Sequence, residues 1–239
     1  MSYLIENATI TNFKLESSDT NNILQFNVTS ANIAGAYPPG VIVVNGLAYA
    51  EVTSPYTGRT WLDRNLGATQ VATSLSDSAA YGWHYQWGRL SDGHQIPGST
   101  TVYNTQQSDY SNLGSTFYSN ANGDWLNPSN ENLWNTLNNE DWPTGYRVAT
   151  ESEWNSEVSG ISSEFGSNTL SAMYNSFFKL TAAGKRPYGT VDSQGTYGSY
   201  WTSTGNGTIA ACLVSYLDTG NMSGDVKGTG LSVRLIKSI

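Results

Sequence analysis

Two histidines, one cysteine and scattered acids are the residues in this chain that could do chemistry. His84 and His94 lie ten positions apart with no cluster of Cys or His around them, whereas a zinc site needs several such ligands at short spacing. The spacing predicts structural or exposed histidines, and the aromatic phrase around His84 predicts that it is packed. Cys212 sits in the apolar run Ile209 to Val214 and reads as a small buried hydrophobe rather than a reactive thiol. A lone cysteine also excludes an intrachain disulfide framework. No serine carries the nucleophile-elbow pattern. Asp63, Asp92, Asp124, Glu140 and Asp141 show no spacing that would bring two carboxylates to glycosidase separation. Asp218-Thr-Gly-Asn and Ser223-Gly-Asp225 are oxygen-rich but not a dense calcium array. No cofactor is expected, and a structural calcium there stays an open alternative. The sequence therefore points to a non-enzymatic chain.

Composition points the same way. Charged residues make up 13% of the 239 positions, and Gly, Ser, Thr and Asn fill the deficit beside eight Trp and fifteen Tyr. Aromatics on this scale bury large areas and let a glycine-rich, turn-rich chain fold. A net charge of −8 with eleven scattered Lys and Arg excludes a nucleic-acid footprint and disfavours an acidic membrane surface. No apolar run approaches a membrane span, and the start Met1-Ser-Tyr-Leu-Ile-Glu lacks a signal-peptide pattern, so a virion or cytoplasmic location is expected.

The elements that must position these residues divide the chain at about residue 40. Residues 1–40 alternate polar and apolar at Ala8 to Leu15 and Ile23 to Val28, which predicts a β-hairpin for attachment or homo-oligomerisation. The segment Ala34 to Gly40 punctuates the chain. Residues 41–239 open with two apolar runs around Asn45-Gly46, a strong hairpin signal. A third strand is expected over Arg59 to Leu66, and a short helix over Asp77 to Gln86. Residues 90–144 read as long loops pinned by aromatics, among them Trp125 and Trp142. Thr150-Glu-Ser-Glu153 is a capping box that starts a helix to about Val158. A second helix is expected over Leu170 to Phe178. Strands are expected over Lys179 to Ala183, Tyr200 to Ser203, Ala211 to Leu217 and Ser232 to Lys237. Arg147 and Arg234, inside apolar phrases, are candidates for ion pairs with Glu151, Glu153 or Asp63.

Five phrases in order carry a family resemblance: Trp61-Leu-Asp-Arg-Asn-Leu-Gly-Ala68, Tyr81-Gly-Trp-His-Tyr-Gln-Trp-Gly-Arg89, Gly145-Tyr-Arg-Val-Ala-Thr-Glu-Ser-Glu-Trp154, Gly198-Ser-Tyr-Trp-Thr-Ser-Thr204 and Ser232-Val-Arg-Leu-Ile236. Together they resemble the Fib-succ-major paralogous domain of bacterial surface proteins, which is similar to the formylglycine-generating-enzyme branch of the C-type lectin fold. The same branch holds the variable proteins of diversity-generating retroelements, phage tail-tip receptor-binding proteins among them. The resemblance implies an α+β, C-type-lectin-like fold with small twisted antiparallel sheets, two short helices and long loops. It implies burial of Trp61, Trp87, Trp154 and Trp201. It also implies a variable ligand face on the C-terminal strands, for a protein or carbohydrate on a target surface. The positions are Gly205, Asn206, Gly207, Thr208, Ile209, Val214, Tyr216, Asp218, Ser223, Gly224, Asp225 and Val226. These systems randomise adenines, mostly in Asn codons, and every residue named is reachable from such a codon. Period two then predicts Val214, Tyr216 and Asp218 outward, with Cys212 and Leu217 in the core across a bulge. Formylglycine chemistry would require more reactive cysteines than Cys212 supplies. The Glu-Pro-Asn and Trp-Asn-Asp signatures of calcium-dependent sugar binding do not occur.

Overall fold

Asn45 and Gly46 adopt positive φ (50° and 77°), so the backbone reverses between Ile42–Val44 (β1) and Leu47–Tyr49 (β2), as the Asn-Gly signal predicts. The computed structural model describes residues 41–111, 113–120, 123–136 and 142–239. The hairpin expected over residues 1–40 lies outside the described residues, as do Glu140 and Asp141. The chain continues through Glu51–Thr53 (β3), Thr60–Leu62 (β4), Tyr85–Gln86 (β5), Thr101–Tyr103 (β6) and Phe117–Ser119 (β7). A helical turn at Leu133–Thr136 (α1) precedes Tyr146–Val148 (β8), Glu151–Phe165 (α2) and Leu170–Asn175 (α3). The last third is Tyr197–Asn206 (β9), Ile209–Tyr216 (β10), Gly220–Val226 (β11), Gly230–Leu231 (β12) and Leu235–Lys237 (β13).

The architecture is mixed α and β. The described residues form small sheets, mostly antiparallel: β3-β4-β13-β8, β11-β10-β9, and the two-stranded pairs β1-β2 and β12-β5. The pair β6-β7 is parallel. Sheet β9–β11 lies between two apolar clusters. Trp201, Ala210 and Cys212 face one, which also holds Trp87, Trp125 and Trp134. Tyr200 and Leu213 face the other, with Trp61, Trp154, Ile161 and Phe178. The four scaffold tryptophans expected to be buried are each fully so, and Trp125 and Trp142 are buried too.

Helix α2 shows how sequence and packing meet. Thr150 Oγ1 accepts from the Glu153 amide and the Glu153 carboxylate accepts from the Thr150 amide, completing the capping box. The helix runs past Val158 and Gly160 to Phe165, longer than expected. A glycine in a helix costs backbone entropy. Here the Tyr56 ring lies against Gly160, where an added Cβ would come within 2.3 Å of it, and the Tyr56 hydroxyl donates to Glu164. Glu157 is buried on the same helix. It accepts from Ser54 Oγ (2.5 Å), Thr57 Oγ1 (2.5 Å) and Trp61 Nε1 (3.2 Å), tying α2 to the β3–β4 turn. Glu157→Ala is expected to cost about 2 kcal/mol in urea unfolding, because two buried donors, Ser54 and Trp61, and the half-buried Thr57 lose their acceptor; Glu157→Gln should recover part of it.

Several sequence expectations are corrected. Asp77–Gln86 is not a helix: Asp77 caps a single 3-10 turn at Ser78–Ala80, and Tyr85 and Gln86 enter β5. Lys179–Ala183 forms no strand; its backbone serves loop contacts, as when the Ala182 amide donates to the Leu75 carbonyl (2.9 Å). Residues 90–144 include the parallel pair β6-β7 and the turn α1 as well as loops. Arg147 does pair with Glu153 through both nitrogens (2.8 and 2.7 Å). Arg234 makes no ion pair with Asp63. It is buried and donates to Asn65 Oδ1 (3.0 Å) and the Leu62 carbonyl (3.1 Å), and burial pushes its pKa down to about 10.

Candidate binding face

In an antiparallel pair, directly opposed residues share a face and successive residues alternate. The β10 register therefore sorts the C-terminal sheet into two surfaces. Ala210, Cys212, Val214 and Tyr216 share one face with Asp225, Ser223 and Asn221 of β11 and with Trp201, Ser199 and Tyr197 of β9. Ile209, Ala211, Leu213 and Ser215 share the other with Val226, Gly224, Met222 and Gly220. The second surface is covered at Leu213 and Met222 by the α2 cluster but emerges at Ile209 and Val226, which are 41% and 37% exposed.

All twelve positions singled out from the sequence have solvent access, but they do not form one patch. Val214, Tyr216, Ser223 and Asp225 lie on the Cys212 face. Asn206, Ile209, Gly224 and Val226 lie on the reverse. Gly207 and Thr208 form the β9–β10 turn, and Asp218 lies in the β10–β11 turn. Seven strand steps separate Ile209 from Tyr216, about 23 Å. Two glycines are constrained. A Cβ at Gly205 would meet the Trp87 ring at 2.9 Å and the Glu131 backbone at 3.1 Å. Gly207 has positive φ, its amide donates to Glu131 Oε1 (2.6 Å) and its carbonyl accepts from Ser129 Oγ (2.5 Å). Gly224 has room, with its nearest neighbours at 3.6 Å.

Leu217 is 58% exposed and is not a core residue. The reason is that β10 ends at Tyr216 and Leu217 passes into the turn; along the Cys212 face, Ala210 and Cys212 are buried, Val214 is half-buried and Tyr216 emerges. The irregularity lies elsewhere. Between the pairs Ala210↔Gly205 and Cys212↔Trp201, β9 carries three residues opposite Ala211 alone. That bulge turns Ser203 toward β8, where its amide donates to the Ala149 carbonyl (2.8 Å).

The scaffold below the face is held by indole donors. Trp201 Nε1 donates to the Tyr85 carbonyl (2.7 Å), Trp87 Nε1 to Thr202 (2.8 Å), and Trp125 Nε1 to Trp87 (2.8 Å). Lys227 closes the end of β11. It is buried over the Trp87 ring and donates to Ser129 Oγ (3.0 Å) and the Asn130 carbonyl (3.0 Å), with Asp124 at 3.9 Å. Ser129 and Lys227 look like a nucleophile and a base by distance. Burial lowers the Lys227 pKa and the Asp124 charge opposes that shift, while its Nζ hydrogen-bonds to Ser129 and Asn130 and clamps the end of β11.

Sequence reasoning missed the residues that complete the Cys212 face. Lys185, from the loop after α3, reaches across it. Its Nζ lies 3.1 Å from Asp225 Oδ2 and 5.8 Å from the Tyr197 ring centroid. Asp225 Oδ1 accepts from Thr229 Oγ1 (3.1 Å) and the Val226 amide (2.8 Å), which leaves Oδ2 beside Lys185. Among the described residues no three His, Cys, Asp or Glu side chains converge as a metal cluster. Tyr197 stacks obliquely on Tyr216, centroids 4.9 Å apart. Period two leading back from Trp201 would have found Tyr197 and Ser199. Nothing local marks Lys185, forty positions from its partner. Cys212 lies beneath this face, and burial pushes its thiol up to about 12.

His84 and His94 are both buried in loops around β5. Neither touches the face. No protein-family model, curated protein or solved structure matches the chain. No helix among the described residues is long and apolar enough to cross a membrane.

Proposed function

We propose that the chain is a non-enzymatic ligand-binding protein on a C-type-lectin-like scaffold, with a variable face on β10, β11 and their turns. In this reading it belongs with the retroelement-diversified proteins that its five phrases resemble, the phage tail-tip receptor-binding proteins among them. The observation that carries it is the interleaving of access and lock. Asn206, Thr208, Ile209, Tyr216, Asp218, Ser223, Gly224 and Val226 are exposed. Ala210, Cys212, Leu213, Ser215 and Lys227, set among them, are fully or almost fully buried. A surface whose changeable positions sit on a rigid, separately anchored sheet can vary without loss of fold. Gly205 and Gly207 belong to the scaffold rather than to the variable set. Formylglycine-type catalysis is not supported by a single deeply buried thiol with a raised pKa.

The test is a substitution scan read by thermal melting. Varied residues at 206, 208, 209, 216, 218, 223 and 226 should each change stability by less than about 0.5 kcal/mol. Intolerance across that set would overturn the reading in favour of the alternative, a structural or carbohydrate-binding surface domain of the Fib-succ-major type with no variable site.

A further inference from the structure

The Cys212 face holds one cluster in which an exposed aromatic ring, a fixed cation and a fixed carboxylate meet. Tyr216 is 47% exposed and its ring is propped by the nearly buried Tyr197. Lys185 and Asp225 keep 32% and 16% side-chain exposure while paired at 3.1 Å. Resting on the ligand-binding reading above, we propose that this cluster is a binding site for a neutral saccharide, with the Tyr216 ring as platform and the Lys185–Asp225 pair as the hydroxyl-reading group.

Three features select that class of ligand. The first is charge. Lys185 and Asp225 neutralise one another, and the chain as a whole carries −8, so an anionic ligand meets repulsion and a cation meets an occupied carboxylate. The second is hydrogen-bond character. An ammonium offers donors only and an ionised carboxylate acceptors only. Side by side they suit a pair of neighbouring hydroxyls, each able to donate to the one and accept from the other. Asp225 Oδ1 is held by Thr229 and Val226, which fixes the carboxylate plane before a ligand arrives. The third is size. The face spans three strands, about 10 Å across, and its exposed neighbours Asn221 and Ser223 are polar. A stable protein partner buries about 800 Å² on each side around an apolar core, whereas the apolar side chains that reach solvent around Tyr216 are the half-buried Val214 and the exposed Leu217. A sugar ring needs only an aromatic face for its C–H groups and a few fixed polar atoms.

The test is titration of the intact chain, followed by NMR, with neutral methyl pyranosides and neutral hexasaccharides, and with sialyllactose as an acidic control. Binding of a neutral sugar, with the acidic control at least about tenfold weaker, is expected. Tyr216→Phe should bind within about threefold of the native chain and Tyr216→Ala about tenfold or more weaker, because the ring rather than the hydroxyl makes the platform. Asp225→Asn keeps acceptors for Thr229 and Val226, and so the fold, yet should also weaken binding about tenfold. No neutral sugar binding at millimolar concentration, or binding indifferent to both Tyr216→Ala and Asp225→Asn, would overturn the assignment. A tolerant melting scan alongside that failure would leave the broader ligand-binding reading standing; an intolerant scan would sink both.

Discussion

Replacing Trp201 with alanine is expected to lower the free energy of unfolding by about 4 kcal/mol, a large fraction of the 5–15 kcal/mol typical of a domain. The side chain is wholly buried and packs in the cluster that contains Trp87 and Trp125. Its loss opens a cavity that neighbours fixed by their own hydrogen bonds cannot fill. It also removes the indole donor to Tyr85, through which β9 is tied to β5. The backbone amide of Trp201 donates to the Ser232 carbonyl (3.0 Å), so the same residue joins β9 to the segment between β12 and β13. Urea unfolding of Trp201→Ala beside Tyr216→Ala measures the contrast directly. The exposed tyrosine should cost less than about 0.5 kcal/mol. Near-equal losses would mean that the sheet is not anchored independently of its surface, and the basis for a variable face would be gone.

That contrast rests on features the sequence showed unevenly. The Asn45-Gly46 hairpin, the Thr150 capping box and the burial of the scaffold tryptophans were legible because each depends on local chemistry. Positive φ at two adjacent residues, a side chain reaching its own N3 amide, and a large apolar ring seeking cover are all set within a few positions. The face was legible as exposed strand and turn positions. Its division into two surfaces was not, because that depends on the pairing of β10 with both neighbours and on the bulge opposite Ala211. Leu217 illustrates the limit. A strict alternation from Cys212 places it on the opposite side from Tyr216, yet the strand ends at Tyr216 and Leu217 passes into the turn. Helix α2, expected to end at about Val158, continues through Gly160. What permits it is Tyr56, about a hundred residues earlier in the chain. Lys185 and Asp225 meet only through the fold, as do Arg234 and Asn65.

The second large effect concerns pH. Acidification from pH 7 to pH 5 is expected to lower stability by about 4 kcal/mol, about 2 kcal/mol for each buried histidine. Burial pushes the pKa of both His84 and His94 from 6.5 down to about 4. The unfolded chain therefore takes up protons between 6.5 and 4 that the folded chain refuses, and stability falls as pH falls through that window. Above 6.5 both states are neutral at these sites and the effect vanishes. Geometry gives the same sign. His94 Nε2 accepts from the Gln86 amide (2.9 Å) while Nδ1 contacts Asp92 Oδ1 (2.5 Å), so the neutral Nδ1–H tautomer satisfies both partners. A proton on Nε2 would face the Gln86 donor. His84 Nε2 lies 3.0 Å from the Ala183 carbonyl, so the neutral Nε2–H tautomer is satisfied, and the ring is wholly enclosed where a second charge would be poorly solvated. Glu153, held at about 2 by Arg147 and its backbone partner, loses its contribution only at lower pH, between its ordinary value and 2. Its effect therefore falls below the range in which the histidines act. Urea midpoints at pH 7 and pH 5 provide the measurement, with His84→Gln and His94→Gln each expected to remove about half of the slope. A midpoint that does not move between the two pH values would mean that the histidines are accessible or charged in the folded chain, contrary to their burial beside β5.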